Sequence, residues 1–471
     1  MSDEIKTVDL VVLGGGPGGY TAAFRAADLG LRTAIVERYD VLGGVCLNVG
    51  CVPSKALLHA ASLIEGVQHF HASGVMKTTV SCDIDGLRKW KDEVVGNLNN
   101  GLSSLAKRRK IDILNGRGSF VSPNQIEIKS RDGVSTIQFT NAIVATGSHS
   151  AKLPFLPDDD SIWDSTDALR LSHVPTRLLV LGGGVIGLEM ATVYQALGSD
   201  VSIVELADSI LPGIDKTTVR PLFLSMKKKC TIYTDTKAVG VKRTDDLLKV
   251  ALEGKKCPEH LVVDAILVSV GRRPNVDDIG LESIGIALDD QKFIQVDEQC
   301  RTSVPHIFAI GDVTRGSMLA HRASADGRVA AEVAAGLSTR RSYRAIPQVA
   351  YTHPEVATVG LSEMAATAEG ISVGIGKFPF AASARAMTIG ESAGFSKLIF
   401  NAETDEIIGA ELVGAHAGEL IAEAVVAIQN GLTVKQLTAA VHPHPSLSES
   451  TMMAAEVFEG TVTDLFIPKR S

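Results

Sequence analysis

Two cysteines and two histidines are the residues whose types and spacing first suggest chemistry. Cys46 and Cys51 lie in the Gly-flanked segment GGVCLNVGCVPSK, residues 43–55. Pro53 and Ser54 are good early-helix residues, which places Cys51 at a helix N-terminus, where the dipole favours a thiolate. The four residues between the cysteines allow a small disulfide loop. Three readings stand side by side: a redox dithiol, half of a zinc site, or two unrelated buried thiols. Zinc wants four ligands, and no second Cys/His pair with ligand spacing appears. Cys82, Cys230, Cys257 and Cys300 are scattered, and six cysteines in 471 residues are too few for a disulfide scaffold. Far along the chain, His442-Pro443-His444-Pro445 is followed by Glu449. A histidine held by a carboxylate is a candidate base for a thiol, because imidazole titrates near neutral pH. A structural histidine is the plainer alternative.

The elements that must position these residues are announced by an internal duplication. A short apolar run over residues 8–13 leads into Gly14-x-Gly16-x-x-Gly19, a helical stretch to Leu29, Gly30, a second apolar run over residues 33–36, and Glu37. The same series recurs as residues 178–181, Gly182-x-Gly184-x-x-Gly187, a helical stretch to Leu197, Gly198, residues 201–204 and Glu205, every matching position offset by 168. One GxGxxG alone also fits a ligand-free βαβ turn. Two in register, each in strand–turn–helix–strand context and closed by an acid, predict two bound dinucleotides. The first Gly makes the turn, the second admits the pyrophosphate, the third lets helix pack on strand, and the helix N-terminus faces the phosphates. The closing carboxylate accepts from a ribose diol. Glu205 repels a 2′-phosphate, and no Arg or Lys lies between Leu206 and Asp215 to pair with one, so NAD is expected over NADP. The thiol pair follows Glu37 by a few residues and so lies beside the first dinucleotide, which suggests electron exchange.

Around these units, the apolar spacing of Leu87, Trp90, Val94, Leu98, Leu102 and Leu105 predicts one long amphipathic helix over residues 83–110, read as structural. Residues 126–148 read as a hairpin and buried strand ending in Ala145-Thr146-Gly147-Ser148. Residues 307–312 read as a buried strand ended by Gly and an acid. The last ~125 residues, with strand signals at 397–400 and 406–413 and helical periodicity at 419–429 and 448–458, look like an α+β domain. At 471 residues, about three domains are expected.

Composition excludes several classes. Hydrophobic residues make up 45% and charged residues 21%, an ordinary globular balance. The 44 glycines show no Gly-X-Y period, so this is not a collagen. A net charge of −8, with only short basic clusters at residues 107–110 and 227–229, argues against nucleic acid as a partner. No segment reads as the roughly 18 to 20 apolar residues needed to span a bilayer, so no membrane span is expected. The acidic N-terminus resembles neither a secretory signal nor a transit peptide, so a cytoplasmic protein is expected.

Taken together, the segments GGVCLNVGCVPSKALL, GGGVIGLEM, IFAIGD, MLAHRA and HPHPSLSE resemble the pyridine nucleotide–disulfide oxidoreductase family, class I, and the resemblance covers essentially the whole chain. It implies an α/β fold of two Rossmann-like dinucleotide-binding domains plus a C-terminal α+β dimerisation domain. The expected boundaries are 1–150 for the first part of an FAD domain, 151–275 for an NAD domain, 276–345 for a return to the FAD and central region, and 346–471 for the interface domain. It implies FAD on the first fingerprint with Glu37, Gly118, Thr146, Gly147, Ser148, Asp312 and Ala320. Lys55 would lie near the flavin, paired with Glu189, and NAD would take the second fingerprint with Glu205 and Gly271. Cys46 and Cys51 would form the redox disulfide, Cys51 nearer the flavin, with His444 as base and Glu449 orienting it. No metal is implied. The resemblance further implies a homodimer in which the His–Glu pair reaches the partner's disulfide. The substrate would be dihydrolipoamide carried on lipoyl domains of 2-oxo acid dehydrogenase or glycine cleavage complexes, with NAD⁺ as acceptor. The chain departs from the family's usual pattern at Pro443, where Ala is more common, and no lipoyl domain precedes the first fingerprint.

Other assignments are weaker. An NAD(P)H-dependent disulfide reductase of the glutathione reductase type shares the fold and the thiol pair, but Glu205 argues against it. Mercuric reductase and the larger thioredoxin reductases use extra C-terminal cysteines, and residues 464–471 have none. A transhydrogenase or NADH oxidase would not need both cysteines. A purely scaffolding subunit would not need the intact Cys46, Cys51, His444 and Glu449.

Overall fold

The computed structural model describes residues 6–78 and 80–467, so the readings made on the acidic start and on the final residues 468–471 lie outside the described residues. Three sheets position the chemistry. In the first, parallel strands Asp112–Asn115, Thr33–Glu37, Lys6–Leu13 and Gly133–Val144 lie side by side. The last of these divides. Its first half pairs with the antiparallel strand Gln125–Ser130, and its end pairs in parallel with Ile307–Ala309. Thr33–Glu37 and Leu10 to Leu13 are buried along their whole length, which is why they read as continuous apolar runs rather than alternations. Helix Pro17–Asp28 makes the crossover between the first two strands, with Pro17 opening its first turn.

The second sheet repeats the plan: Thr231–Tyr233, Asp200–Val204, Arg177–Leu181, Ala265–Val268 and Ile162–Trp163, all parallel. Helix Val185–Ala196 makes its crossover. An antiparallel meander, Thr236–Thr244, Leu247–Gly254 and His260–Val263, covers one face by packing Leu248, Val250 and Leu252 on Leu179, Leu181 and Val204. The chain thus leaves the first sheet after Val144, builds the second, and re-enters the first at Ile307. Outgoing Ser148–Ser150 and returning Arg272–Pro274 pair antiparallel, a two-stranded strap between the units.

The third sheet is antiparallel, ordered Gln348–Ala350, Glu355–Gly360, Ile407–Gly414, Phe395–Asn401 and Val373–Pro379. Helices Ala417–Gln429 and Glu449–Glu459 pack on it, so closely at one point that a Cβ on Gly376 would lie 1.9 Å from the Ala454 carbonyl oxygen. The long helix expected between the two units is present as Ile84–Arg108, started by Asp83, whose carboxylate accepts from the Asp85 N–H. Its apolar stripe is only partly buried. Leu87 is buried, but Trp90, Leu98 and Leu105 remain 41%, 46% and 41% exposed.

Contrary to the expectation from sequence, one helical stretch among the described residues, Gly44–Ala72, reaches a mean hydropathy of 1.2 over a window long enough to span a bilayer. It is two helices, Gly44–Val49 and Cys51–Ala72, broken at Gly50, and the second buries Leu57, Leu58, Ala61 and Ile64 inside the protein.

Candidate active site

The two fingerprints fold into nearly superimposable turns. Gly14 has φ +109° and Gly182 φ +106°, backbone that a side chain would strain. A Cβ on Gly19 would lie 1.9 Å from the Gly14 oxygen, and one on Gly187 2.1 Å from the Gly182 oxygen, so each helix rests directly on its turn. Both closing carboxylates are buried and hold that turn in shape. Glu37 accepts from the N–H of Gly15 at 2.7 Å and of Tyr39 at 3.0 Å. Glu205 accepts from Gly183 at 2.6 Å and Ala207 at 2.7 Å. The crossover helices begin at Gly16 and Gly184 with no side-chain cap, which leaves their first N–H groups open to an anion. A Cβ at Gly184 would meet no protein atom within 4 Å, so the backbone there leaves the room a pyrophosphate needs. The residues present therefore fit a dinucleotide at each unit.

A cleft of about 1420 Å³ opens from the first turn, larger than the roughly 300–1,000 Å³ of an ordinary small-molecule site. Its lining includes Gly14, Gly16, Gly19, Glu37, Lys55, Gly118, Thr146, Gly147, Ser148, Asp312 and Ala320. Trp90 and Val94 of the long helix also reach it, as do Val185, Ile186, Glu189 and Met190 of the second crossover helix. Gly182, Gly184, Gly187, Glu205 and Gly271 stand outside this lining; Gly271, at φ +119°, has open space around it.

Cys46 and Cys51 face this cleft. Gly43 and Gly44, both at positive φ, press the cysteine-bearing segment onto the first fingerprint: a Cβ on Gly44 would lie 2.6 Å from Gly16 Cα. Both cysteines are free thiols in this structure. Hydrogen bonding to Cys51 and burial push the Cys46 thiol up, whereas donation from Cys46 together with the Lys55 ammonium brings Cys51 down to about 7. The two thiols thus hold their protons unequally, Cys46 more tightly than Cys51. Lys55 Nζ bonds both Glu189 oxygens, at 2.9 and 3.0 Å, and sits 4.5 Å above the Tyr351 ring. The Tyr351 N–H donates to the same carboxylate at 3.1 Å. Among the described residues no group of three His, Cys, Asp or Glu stands together as a metal ligand set.

Sequence reasoning missed Arg272 and Asn275, which tie Ser148 and Thr146 to the second unit, and Tyr351 over Lys55. Arg272 Nε donates to Ser148 Oγ at 2.7 Å, and Ser148 Oγ donates to Asp312 at 2.5 Å. Thr146 Oγ1 donates to the Asn275 carbonyl at 2.6 Å, and the Asn275 amide donates back to the Thr146 carbonyl at 2.8 Å. A signal existed in Arg272-Arg273-Pro274, charge placed directly after a buried strand and Gly271. Tyr351 carried no comparable signal.

His444 lies elsewhere, on the loop before helix Glu449–Glu459. Its Nδ1 is 3.0 Å from Glu449 Oε2, and Glu449, buried, also accepts from the Ser446 N–H at 3.1 Å. Because the carboxylate accepts, Nδ1 carries the proton and Nε2 is left as the free acceptor. The His444 side chain is 67% exposed. Neither His444 nor Glu449 lines the cleft, so one chain brings together the thiols, Lys55–Glu189 and the first fingerprint but leaves the candidate base apart.

Comparison with known proteins agrees with this arrangement. Residues 8–327 match the family model described as pyridine nucleotide-disulphide oxidoreductase, and residues 346–455 match that family's dimerisation domain. The dihydrolipoyl dehydrogenase of Vibrio cholerae serotype O1 is 49% identical over 467 residues, covering 99% of this chain and 98% of that protein. That of Bacillus subtilis is 42% identical over 455 residues, covering 96% and 97%. Among solved structures, LpdA from Mycobacterium tuberculosis superposes with a TM-score of 0.87 at 27% identity, over 96% of this chain and 99% of that one. The HOCl-induced flavoprotein disulfide reductase RclA from Escherichia coli superposes with a TM-score of 0.85 at 26% identity, again over 96% and 99%. With a family model spanning most of its length and relatives close to half identical from end to end, the chain belongs to the pyridine nucleotide-disulphide oxidoreductase family.

Proposed function

We propose that the chain oxidises dihydrolipoamide to lipoamide and reduces NAD⁺ to NADH, with FAD in the large cleft and NAD on the second fingerprint. The relatives' names support this reading. The observation that carries it is the pair Cys46 and Cys51 lining the large cleft together with Lys55 and the first fingerprint. Gly14, Gly16 and Gly19 would take the FAD pyrophosphate, and the Ser148–Asp312 pair and Ala320 would close the same site. Gly182, Gly184, Gly187 and Glu205 would hold NAD. The negative Glu205 side chain, with no Lys or Arg between Leu206 and Asp215, disfavours a 2′-phosphate.

In the oxidised enzyme Cys46 and Cys51 form a disulfide. His444 Nε2 removes a proton from one substrate thiol, and the resulting thiolate attacks Cys46 Sγ. The Cys46–Cys51 bond breaks, and Cys51 leaves as the thiolate that the Lys55 ammonium favours. The second substrate thiol gives up its proton and attacks the substrate sulfur bound to Cys46. Lipoamide leaves with its ring disulfide closed, Cys46 regains a proton, and two electrons remain on the dithiol. When bound, the flavin supplies the two-electron relay from this dithiol to NAD⁺.

His444 is remote from its own cleft, so we assign it to the partner subunit's thiols in a homodimer built on the C-terminal domain. An exposed histidine at a subunit edge suits a substrate delivered on a mobile lipoyl domain of a 2-oxo acid dehydrogenase or glycine cleavage complex. The test is NADH formation by the purified yellow protein from dihydrolipoamide and NAD⁺, with NADP⁺ alongside. Rapid NAD⁺-dependent turnover is expected. A flavin-loaded protein that ignores dihydrolipoamide but consumes NADPH with another disulfide would overturn the substrate assignment.

A further inference from the structure

The loop that presents His444 is held almost entirely by side chains. Among the described residues, no main-chain group of residues 441–446 bonds another main-chain group. Pro443 and Pro445 have no N–H to give, and Val441 is 99% exposed. Downstream, the loop is fastened through Glu449, which takes both His444 Nδ1 and the Ser446 N–H. Upstream, one residue does the fastening. His442 Nε2 lies 2.6 Å from Glu423 Oε1, and its Nδ1 lies 3.1 Å from the Ala440 carbonyl oxygen. The His442 side chain is only 9% exposed, although its neighbours in the loop are open to solvent. Glu423 projects from helix Ala417–Gln429, which is anchored to the third sheet by Ile421, Ala424, Ala427 and Ile428.

We propose that the His442–Glu423 pair is a positioning device for the reaction: it ties the upstream end of the loop to a rigid helix and so fixes where His444 Nε2 points. Two histidines two residues apart, each on its own glutamate, then divide the work. His444 with Glu449 handles the proton, and His442 with Glu423 sets the geometry. A carboxylate can only accept, so His442 Nε2 is the donor to Glu423 Oε1. An amide in place of the carboxylate can still complete that bond by accepting from Nε2 through its carbonyl oxygen. An alanine cannot. A displacement of about 1 Å at a reacting group can cost about 100-fold in rate.

The inference rests on the dihydrolipoamide reading, and its test separates the two. Glu423→Ala, Glu423→Gln and His442→Ala are made in the full-length flavin-loaded dimer. Each is assayed for dihydrolipoamide:NAD⁺ turnover, for NADH:ferricyanide turnover, and for thermal unfolding. Ferricyanide takes electrons without thiol exchange and so does not require His444. Expected are a roughly 10- to 100-fold fall in kcat with dihydrolipoamide for the two alanine variants, unchanged ferricyanide turnover, and recovery to near the parent rate in Glu423→Gln. Alanine variants that retain the parent rate would overturn the proposal, as would variants that lose both activities and unfold early together. A parent enzyme inactive with dihydrolipoamide would instead remove the reading beneath it.

Discussion

The two dinucleotide units share a fingerprint and a turn but differ in what covers them. In both, the same glycine takes a positive φ, the third glycine lets helix meet turn, and a glutamate 22 residues after the second residue of the motif grips its N–H. In the first unit the chain then doubles back. Gly43 and Gly44 carry Cys46 and Cys51 over the turn, and the Gly43 N–H donates to the Gly15 carbonyl at 2.8 Å. The second unit also doubles back, its Leu211 N–H donating to the Gly183 carbonyl at 2.8 Å, but nothing comes within 4 Å of a Cβ on Gly184, and Val185 and Leu206 beside it are 38% and 71% exposed. A roofed site suits a resident group and an open one suits a cosubstrate that must come and go. The difference comes from the dozen residues after each glutamate, outside the fingerprint.

This contrast can be broken most severely at the third glycines. Gly19→Val forces a side chain into the Gly14 carbonyl, and the expected result is a chain that neither retains flavin nor accumulates folded. Gly187→Val makes the same collision in the second unit, with the Ser269 hydroxyl also at 2.5 Å. It should abolish NAD⁺ turnover while the flavin absorbance stays. Loss of flavin from both variants would mean that the units do not fold independently.

A milder change sharpens the comparison. Gly184→Ala meets no protein atom within 4 Å, at an ordinary φ of −79°. Its unfolding temperature should match the parent, while the KM for NAD⁺ rises roughly tenfold, about 1.4 kcal/mol. An unchanged KM would show that the pyrophosphate does not lie against Gly184. Smaller still is Lys55→Met. Donation from Cys46 is the main cause of the lowered Cys51 value and Lys55 a secondary one. In the reduced protein, thiolate ultraviolet absorbance should titrate with a midpoint near 7 in the parent, lost below it and full above it. In the variant the midpoint should move up toward the ordinary thiol value of about 8.5. A midpoint that does not move would assign the lowering to Cys46 alone.

What the sequence made legible follows from locality. The fingerprints, the helix start at Cys51 and the approach of Glu449 to His444 are set by residues within about one turn or one crossover of each other. The Lys55–Glu189 pairing joins positions 134 apart, and it was available only through resemblance. The Arg272–Ser148–Asp312 chain and the Tyr351 ring over Lys55 were not legible, because three separate segments meet there and no local pattern encodes that meeting. The long helix shows the converse. Its period was plain, but Trp90, Leu98 and Leu105 are left partly open in the single chain, and a 3.6-residue stripe does not say what it faces. His442 was visible as a residue, and its partner Glu423, on a different helix, was not.

On the proposed reading a complete site needs two chains, one giving Cys46 and Cys51 and the other His444. Co-expression of Cys46→Ser and His444→Gln chains under different tags, followed by isolation of the mixed dimer, tests it directly. Each variant alone should be nearly inactive with dihydrolipoamide. In the mixed dimer the Cys46→Ser chain offers its histidine to the intact thiols of the other, so one of the two sites is whole and about half of the parent turnover should return. A mixed dimer no more active than either parent variant would place the base and the thiols of one reaction in the same chain.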